Sequence, residues 1–439
     1  MTPAHGPRVG RTVAVVGLFL VALSVRLAFV QYTGGLHQPI GRHDPALYDR
    51  LATNLAAGRG YSIEDVFYSG GDRANPKLVA TSFQPPAYPA FLAALYVLWG
   101  HSYATVRIAQ CVVGALTVVL CVWLAARLYS RFAAWVAAAL IAVYPYVAVS
   151  PVQLMAETQF TFLVVSTVCL LAVSIARPER KYMPILAGIV MALAILTKSI
   201  FVAFPPFLAF IAVAGTREKP FRGIIAVSVL TCLVVLSPWT MRNLRVHGKP
   251  ILVSTGGGFN VAQGNNEWVS NNIHKAYLGE VGRLPPGQAM DPAAASFNEV
   301  DRERFFYRYA LDYMIAHPFQ TVRTMLYKAL FYLAPGPLKY RGMKHITPSW
   351  PQAIGWVLLP FVLLGGVLVA RMRSLPEKLP VILIAYFALF SLLTRYDNRY
   401  RAAVEPFSLM LAAVGFEWLY RGLRAALDRR GTDHAPRSA

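Results

Sequence analysis

The run YATVRIAQCVVGALTVVLCVWLAARL, Tyr103–Leu128, decides the fold. It exceeds the ~20 residues needed to cross a hydrocarbon layer, and its apolar residues are continuous rather than alternating with polar ones. Inside that layer the backbone is satisfied only by helices or by closed barrels, and a continuous run rich in Ala, Leu and Val selects the helix.

Runs of the same kind recur through the 439 residues. They cover Thr12–Val30, Phe132–Ala148, Gln153–Ala176, Met183–Thr197, Phe201–Gly215, Phe221–Thr240, Gln352–Val369, Leu379–Leu393 and Ala402–Tyr420. With the first, about ten spans (roughly nine to twelve) are expected. Composition agrees, with 56% hydrophobic and 14% charged residues, against about 25% charged in an ordinary soluble domain. The expected fold class is an all-α polytopic membrane protein. The basic, apolar start resembles a signal peptide, but no small-residue cleavage site follows, so Thr12–Val30 reads as a retained helix.

Between the spans lie two segments too long to be simple connections, 32–102 and 241–351. The first ends in Ala87–Gly100, too short for a span, which reads as a juxtamembrane helix with Tyr88, Tyr96 and Trp99 at headgroup level. The second holds Arg302–Ala316, with Phe305, Phe306, Tyr309 and Tyr313 at helical spacing, and then Thr321–Leu333 as another interfacial candidate. The organisation expected is residues 1–31 as N-terminus and first span, 32–102 as first outer loop, and 103–240 as core bundle. A large outer loop over 241–351, the last three spans over 352–420 and a basic tail over 421–439 complete it.

Orientation follows the basic residues. The clusters at the N-terminus, 127–131, 177–181, 217–222, 371–378 and the tail carry 18 Lys and Arg against five acids. These short segments read as cytoplasmic, with both termini inside and the plasma membrane of a bacterium as the expected location. Much of the +21 formal charge is therefore a membrane signature, and no nucleic-acid motif accompanies it. Cys111, Cys121, Cys169 and Cys232 all fall in apolar runs without CxxC spacing and read as small buried hydrophobes.

Chemistry is sought on the outer loops. Asp44 lies just beyond the first span in Gly41-Arg42-His43-Asp44-Pro45-Ala46-Leu47-Tyr48, and Glu157 opens a later span in Ala156-Glu157-Thr158. An acid inside an apolar run is a functional candidate by default, although a first-turn Glu also suits a helix N-terminus without further purpose. No Walker A or GxGxxG pattern is present, and the triplet Gly256–Gly258 reads as a flexible turn, so a nucleotide-bound donor is not supported. A donor carried on a lipid meets the need at an outer surface. No cofactor is expected. No His or Asp cluster has metal-ligand spacing, and whether a divalent metal assists is open.

Several motifs, in order from about residue 40 to 420, resemble the GT-C glycosyltransferases, especially the family 39 and protein O-mannosyltransferase-like group and the aminoarabinose transferases. They are Asp44, Asn54-Leu55-Ala56-Ala57-Gly58-Arg59-Gly60-Tyr61-Ser62, Pro86-Ala87-Tyr88-Pro89, Tyr144-Pro145, Ala156-Glu157-Thr158, Pro238-Trp239-Thr240-Met241-Arg242-Asn243, and Asn398-Arg399-Tyr400-Arg401 with Glu405-Pro406. Asp44 is followed by Pro45, where members of the group often pair it with a second acid.

The resemblance implies a GT-C-type bundle and transfer of a sugar from a polyprenyl-phosphate donor to an acceptor hydroxyl, with inversion, on the outer face. The partners implied are that donor, a glycan, lipid or protein acceptor, and membrane lipids. Asp44 is the implied base and Glu157 its positioning partner. Arg242, Arg399, Arg401 and Lys198, at span ends, are the candidates for gripping the donor phosphate. Arg42, His43, Tyr48, Tyr61 and Tyr88 are supporting candidates. A transporter or lipid flippase, or another lipid-linked outer-face enzyme such as a ligase or polymerase, is the alternative. Transporters usually place acids near the midplane within repeated halves, and no repeat is visible here.

Overall fold

The computed structural model describes residues 8–41, 43–65, 76–215, 219–277, 298–333, 350–395 and 397–433. Arg42 lies outside the described residues.

Helix α1 (Arg8–Tyr32) is followed by α2 (Asp44–Ala56), a two-stranded antiparallel ribbon of β1 (Ser62–Glu64) and β2 (Leu78–Ala80), and α3 (Ala87–Trp99). Next come α4 (Tyr103–Leu128), α5 (Arg131–Val143), α6 (Pro145–Ala148), α7 (Glu157–Ala176), α8 (Tyr182–Thr197), α9 (Phe204–Gly215) and α10 (Lys219–His247). Three short helices follow, α11 (Gly257–Gly264), α12 (Glu267–Asn271) and α13 (Ile273–Tyr277), then the pair α14 (Glu299–Ala316) and α15 (Pro318–Leu333). The chain closes with α16 (Trp350–Ala370), α17 (Leu375–Leu393), the single turn α18 (Asn398–Arg401) and α19 (Glu405–Asp433).

Among the described residues, six helices are long and apolar enough to cross a membrane: Thr12–Tyr32, Tyr103–Leu128, Glu157–Ala176, Pro220–His247, Gln352–Ala370 and Leu375–Leu393. The protein is an integral membrane protein. The expected span Phe132–Ala148 is a pair of helices bent by 59°. Pro145 opens the second of them, because a proline lacks the amide that would continue α5 and its ring restricts Tyr144 to an extended backbone. The expected spans over 183–197 and 201–215 are shorter apolar helices. The expected last span, Ala402–Tyr420, falls mostly in α19, where Phe407 and Leu409–Val414 are buried in the core.

Close helix approach rests on missing side chains. A Cβ on Gly365 of α16 would run into the Leu411 carbonyl of α19, and one on Gly415 into the Phe361 carbonyl; Gly188 of α8 faces Ser228 of α10 in the same way. Without a water-driven force between helices in lipid, such van der Waals contact is the main source of association. All four cysteines are buried and unpaired. Phe160, Phe201, Phe204, Tyr386 and Phe387 form an aromatic knot, with ring centroids 4.5 to 6.1 Å apart, that ties α7, α9 and α17 together. This knot lies beside the start of α7 and the end of α8, where the candidate site is built.

Candidate active site

Four chain segments converge at one end of the bundle. The first is the start of α2. Pro45 occupies the opening turn, where its fixed φ suits a helix and its missing amide is no loss. Tyr48 and Ala52 pack against α3, and Leu47 and Leu51 against Tyr61 and Ile63, which leaves Asp44 at the partly exposed tip. His43, just before it, has φ 69°, a positive value that non-glycine residues rarely adopt. Gly58 and Gly60, also at positive φ, turn the chain out of α2, and Asn54 Nδ2 donates to the Ser62 carbonyl at 2.9 Å, so the Asn54–Ser62 motif is a helix-to-strand joint.

The second and third segments are the antiparallel ends of α7 and α8. Glu157 is the first residue of α7 and Lys198 the residue that ends α8, placements in which an acid and a cation each complement the nearby helix dipole. Lys198 Nζ donates to Glu157 Oε1 at 2.8 Å, with the two side chains only 13% and 3% exposed. Glu157 Oε2 has no hydrogen-bond partner among the described residues. Lys198 Nζ also lies 5.4 Å from the centre of the Tyr400 ring.

The fourth segment runs from the end of α17 into α18. Arg399 Nη1 donates to Asp44 Oδ2 at 2.9 Å, across 355 positions of sequence. Its Nη2 pairs with Asp397 Oδ2 at 3.0 Å, and Asp397 Oδ1 caps α18 through the Arg399 amide at 3.0 Å. Asp397 also pairs with Arg395. Burial works to raise the Asp397 carboxyl, but Arg399 and then Arg395 hold it well below the usual carboxylate range. Burial would lower Arg399, yet Asp397, Glu157 and Asp44 hold it well above its ordinary value, so it stays charged. That both Glu157 and Asp44 act on this guanidinium draws Asp44, Glu157, Lys198 and Arg399 into one group.

The supporting tyrosines are structural. Tyr48 OH donates to Gln84 Oε1 at 3.2 Å, and Tyr61 OH to the Gln84 carbonyl at 2.8 Å. Tyr88 donates to Gln110 Oε1 at 2.7 Å and meets the Tyr48 ring edge-on at 4.9 Å. Together they lock the Gln84–Tyr88 turn onto α2. Burial, and then the Asp44 and Glu157 carboxylates, push the Tyr48 phenol well above its usual value, so it stays protonated.

Two basic candidates find their partners outside this group. Arg242 donates to the carbonyls of Thr81 and Tyr61 and to Ser82 Oγ at 2.7 to 2.9 Å, and its guanidinium lies 4.8 Å from the Trp239 ring. It fastens the ribbon loop to α10. Arg242→Ala is expected to cost about 2–4 kcal/mol of stability through these lost bonds, read as a lower melting temperature in detergent. Arg401 pairs with Glu405 one turn on, Nε to Oε1 3.0 Å, lies 5.7 Å from the Tyr332 ring, and lines a small cavity of about 50 Å³ with Tyr144, Leu358 and Val404.

Residues that sequence reasoning passed over hold the fourth segment in place. Asn260 of α11 accepts the Arg395 amide on its carbonyl at 3.0 Å and Tyr400 OH on Oδ1 at 3.2 Å, while Gln263 Oε1 accepts Arg395 Nη1 at 2.8 Å. The glycine triplet begins α11 rather than forming a loose turn. A Cβ on Gly257 or Gly258 would collide with Tyr307 or the Glu303 carbonyl of α14. The Gly258 amide donates to Glu303 Oε1 at 3.0 Å.

Burial pushes Glu303 up to about 7 from an ordinary 4.5, against the opposing Gly258 and Gly257 amides. A folded-state value above the unfolded one means that this proton's stabilising contribution is fully present below pH 4.5 and is lost as pH rises to about 7. Glu303→Gln is therefore expected to raise the melting temperature at pH 8 relative to the parent and to remove part of the loss between pH 5 and 8. The effect is at most about 3 kcal/mol. Among the described residues no three His, Cys, Asp or Glu side chains gather as a metal-binding group.

The sequence pattern of the dolichyl-phosphate-mannose-protein mannosyltransferase family matches residues 83–241, the stretch that carries Glu157 and Lys198. No curated protein sequence matches the chain. Among solved structures, the oligosaccharyltransferase AglB of Archaeoglobus fulgidus, in complex with an inhibitory peptide and a dolichol-phosphate, superposes with a TM-score of 0.58. It is 14% identical over 98% of this chain and 53% of its own. The apo form from the same archaeon gives a TM-score of 0.57 at 14% identity, over 94% and 52%. ArnT of Cupriavidus metallidurans bound to undecaprenyl phosphate gives 0.43 at 15% identity, over 93% of this chain and 78% of its own, too weak a superposition to carry weight. The chain thus spans about half the length of these two oligosaccharyltransferase chains. At this identity the likeness establishes the fold: a mainly helical, GT-C-type membrane bundle, as the motif order implied.

Proposed function

We propose that the chain is an inverting glycosyltransferase that moves a sugar from a polyprenyl-phosphate donor to an acceptor hydroxyl on the extracytoplasmic face of the membrane. The observation that carries this reading is the convergence of Asp44, Glu157, Lys198 and Arg399. Its support from likeness is that the matched family is described by a dolichyl-phosphate-mannose donor and that AglB was solved with a dolichol-phosphate.

Asp44 accepts the acceptor's hydroxyl proton, a role that its 39% side-chain exposure permits and that the 3% exposure of Glu157 does not. The freed oxygen bonds to the anomeric carbon as the bond from that carbon to the lipid phosphate breaks, and the phosphate departs with the electron pair. One displacement inverts the anomeric centre. Arg399 and Lys198, both charge-paired in place, turn fixed donors toward the leaving phosphate; such donors stabilise developing charge without reorganising. Glu157, anchored by Lys198 through one oxygen, acts as a positioning residue: it holds Lys198 in place and acts by its charge on Arg399.

The test uses purified protein in lipid vesicles with radiolabelled polyprenyl-phosphate mannose, arabinose and glucose, and follows label from the organic to the aqueous phase. Protein-dependent release from one donor supports the reading. No release from any of them by folded protein counts against it.

A further inference from the structure

Lys328 is a charged side chain that the proposed chemistry does not use. It sits in α15, 1% exposed, with an inward face that includes Thr321 and Thr324 and an outward face of exposed Phe319, Val322, Leu326 and Leu330. Its Nζ donates to Asn265 Oδ1 and to the Leu392 carbonyl, both at 3.1 Å. Burial pulls its pKa down to about 7. Taking an ammonium out of water costs several kcal/mol, and an apolar side chain would fill the same space without that cost. What the ammonium adds is direction, because one group bonds acceptors from two separate segments.

Those segments lead to the site. Leu392 and Leu393 end α17, where the last carbonyls lack helical partners and a cation complements the helix dipole. Asn265 Nδ2 donates to the Leu393 carbonyl at 2.7 Å. Gly264 lies so close to the Thr394–Arg395 peptide that a Cβ there would collide with it. The chain then passes along Asn260 and Gln263 and arrives at Asp397 and Arg399.

We propose that Lys328 is a positioning residue: by joining the end of α17 to the end of α11 through the Leu392 carbonyl and Asn265, it sets the course of residues 393–395 and so holds Arg399 against Asp44. The link to catalysis rests on the proposed transferase reading; the link to Arg399 does not.

The test compares Lys328→Met, and Asn265→Ala as a second route to the same joint, with the parent in nanodiscs. Two quantities are read: affinity for undecaprenyl phosphate and amide hydrogen exchange. Lys328→Met is expected to weaken binding about 10-fold in the parent but less than about 2-fold in an Arg399→Ala background, since a residue acting through Arg399 has nothing left to lose there. Exchange is expected to quicken in 257–266 and 392–402 while the remaining helices keep the parent rate. Equal losses in both backgrounds, or no loss, would overturn the proposal. If the parent itself does not bind the lipid phosphate, the transferase reading falls, and exchange decides alone: local quickening at 392–402 sustains the positioning role, and an unchanged rate ends it. Should Lys328→Met fail to fold, Asn265→Ala is read by the same criteria.

Discussion

Asp44→Asn is expected to lower sugar transfer by about 10²–10⁴-fold, the contribution of a positioned general base, while the protein inserts and melts as the parent does. The two halves of that expectation rest on different observations. The loss follows because Asn is close to Asp in size but cannot accept a proton at neutral pH. Retained stability follows from exposure: the Asp44 and Arg399 side chains are 39% and 27% accessible, and a partly solvated pair of this kind contributes about 0–1 kcal/mol. Tyr48, Leu51 and Ala52, which seat α2 on its neighbours, are untouched. The check is release of label from the lipid donor beside a melting curve on the same preparation. Activity within about 3-fold of the parent would remove Asp44 from the role of base.

The second large effect concerns the leaving group. Arg399→Ala is expected to reduce donor turnover by about 10²–10³-fold, the scale seen when one fixed donor to a developing anion is removed. Arg399→Lys is expected to recover only part, since an ammonium keeps the charge but loses the planar fork that holds Asp44, Asp397 and a phosphate oxygen in register. The structural cost exceeds that of Asp44→Asn, because among the described residues Asp397 keeps only Arg395 as its cation. Comparing the affinity for undecaprenyl phosphate with kcat separates the two roles: lost phosphate binding appears in affinity, whereas a group needed only as the bond breaks appears in kcat. Unchanged values of both would exclude Arg399 from the phosphate.

Much of the bundle was legible in the sequence because hydrophobic runs report burial or lipid directly. The runs at Tyr103–Leu128 and Gln352–Val369 correspond to helices within two residues at each end. Less legible was where a long helix breaks. The run Phe132–Ala148 reads as one span, and its 59° bend depends on a single proline that helices elsewhere in the chain accommodate, as α10 does Pro238. The pairing of Asp44 with Arg399, and of Glu157 with Lys198, was not legible: the resemblance set Glu157 beside Asp44 and gave the two basic residues only to the phosphate, and nothing local in either partner names the other.

Arg242 and Arg401 show the limit most clearly. Both stand at the ends of apolar runs, as Arg399 does, yet the direction of a guanidinium is set by partners the run does not name: the distant Thr81 and Ser82 for Arg242, and for Arg401 Glu405 one turn on and the distant Tyr332. Asp397 did leave a signal, an acid two residues before Arg399 and two after Arg395, a spacing that lets one carboxylate serve both. Lys328 left one too, a lone lysine within the apolar stretch Met325–Leu333. Asn260 and Gln263 left none, because side-chain amides in a polar loop are common.

The most direct test of the central claim is to locate the phosphate. Electron cryomicroscopy of the full chain in nanodiscs with undecaprenyl phosphate is expected to place the phosphate within hydrogen-bond distance of Arg399 and Lys198, with Asp44 facing the same space. Phosphate density resting instead at Arg242 or beside Arg401 and Glu405, with the Asp44–Arg399 group empty, would contradict the account.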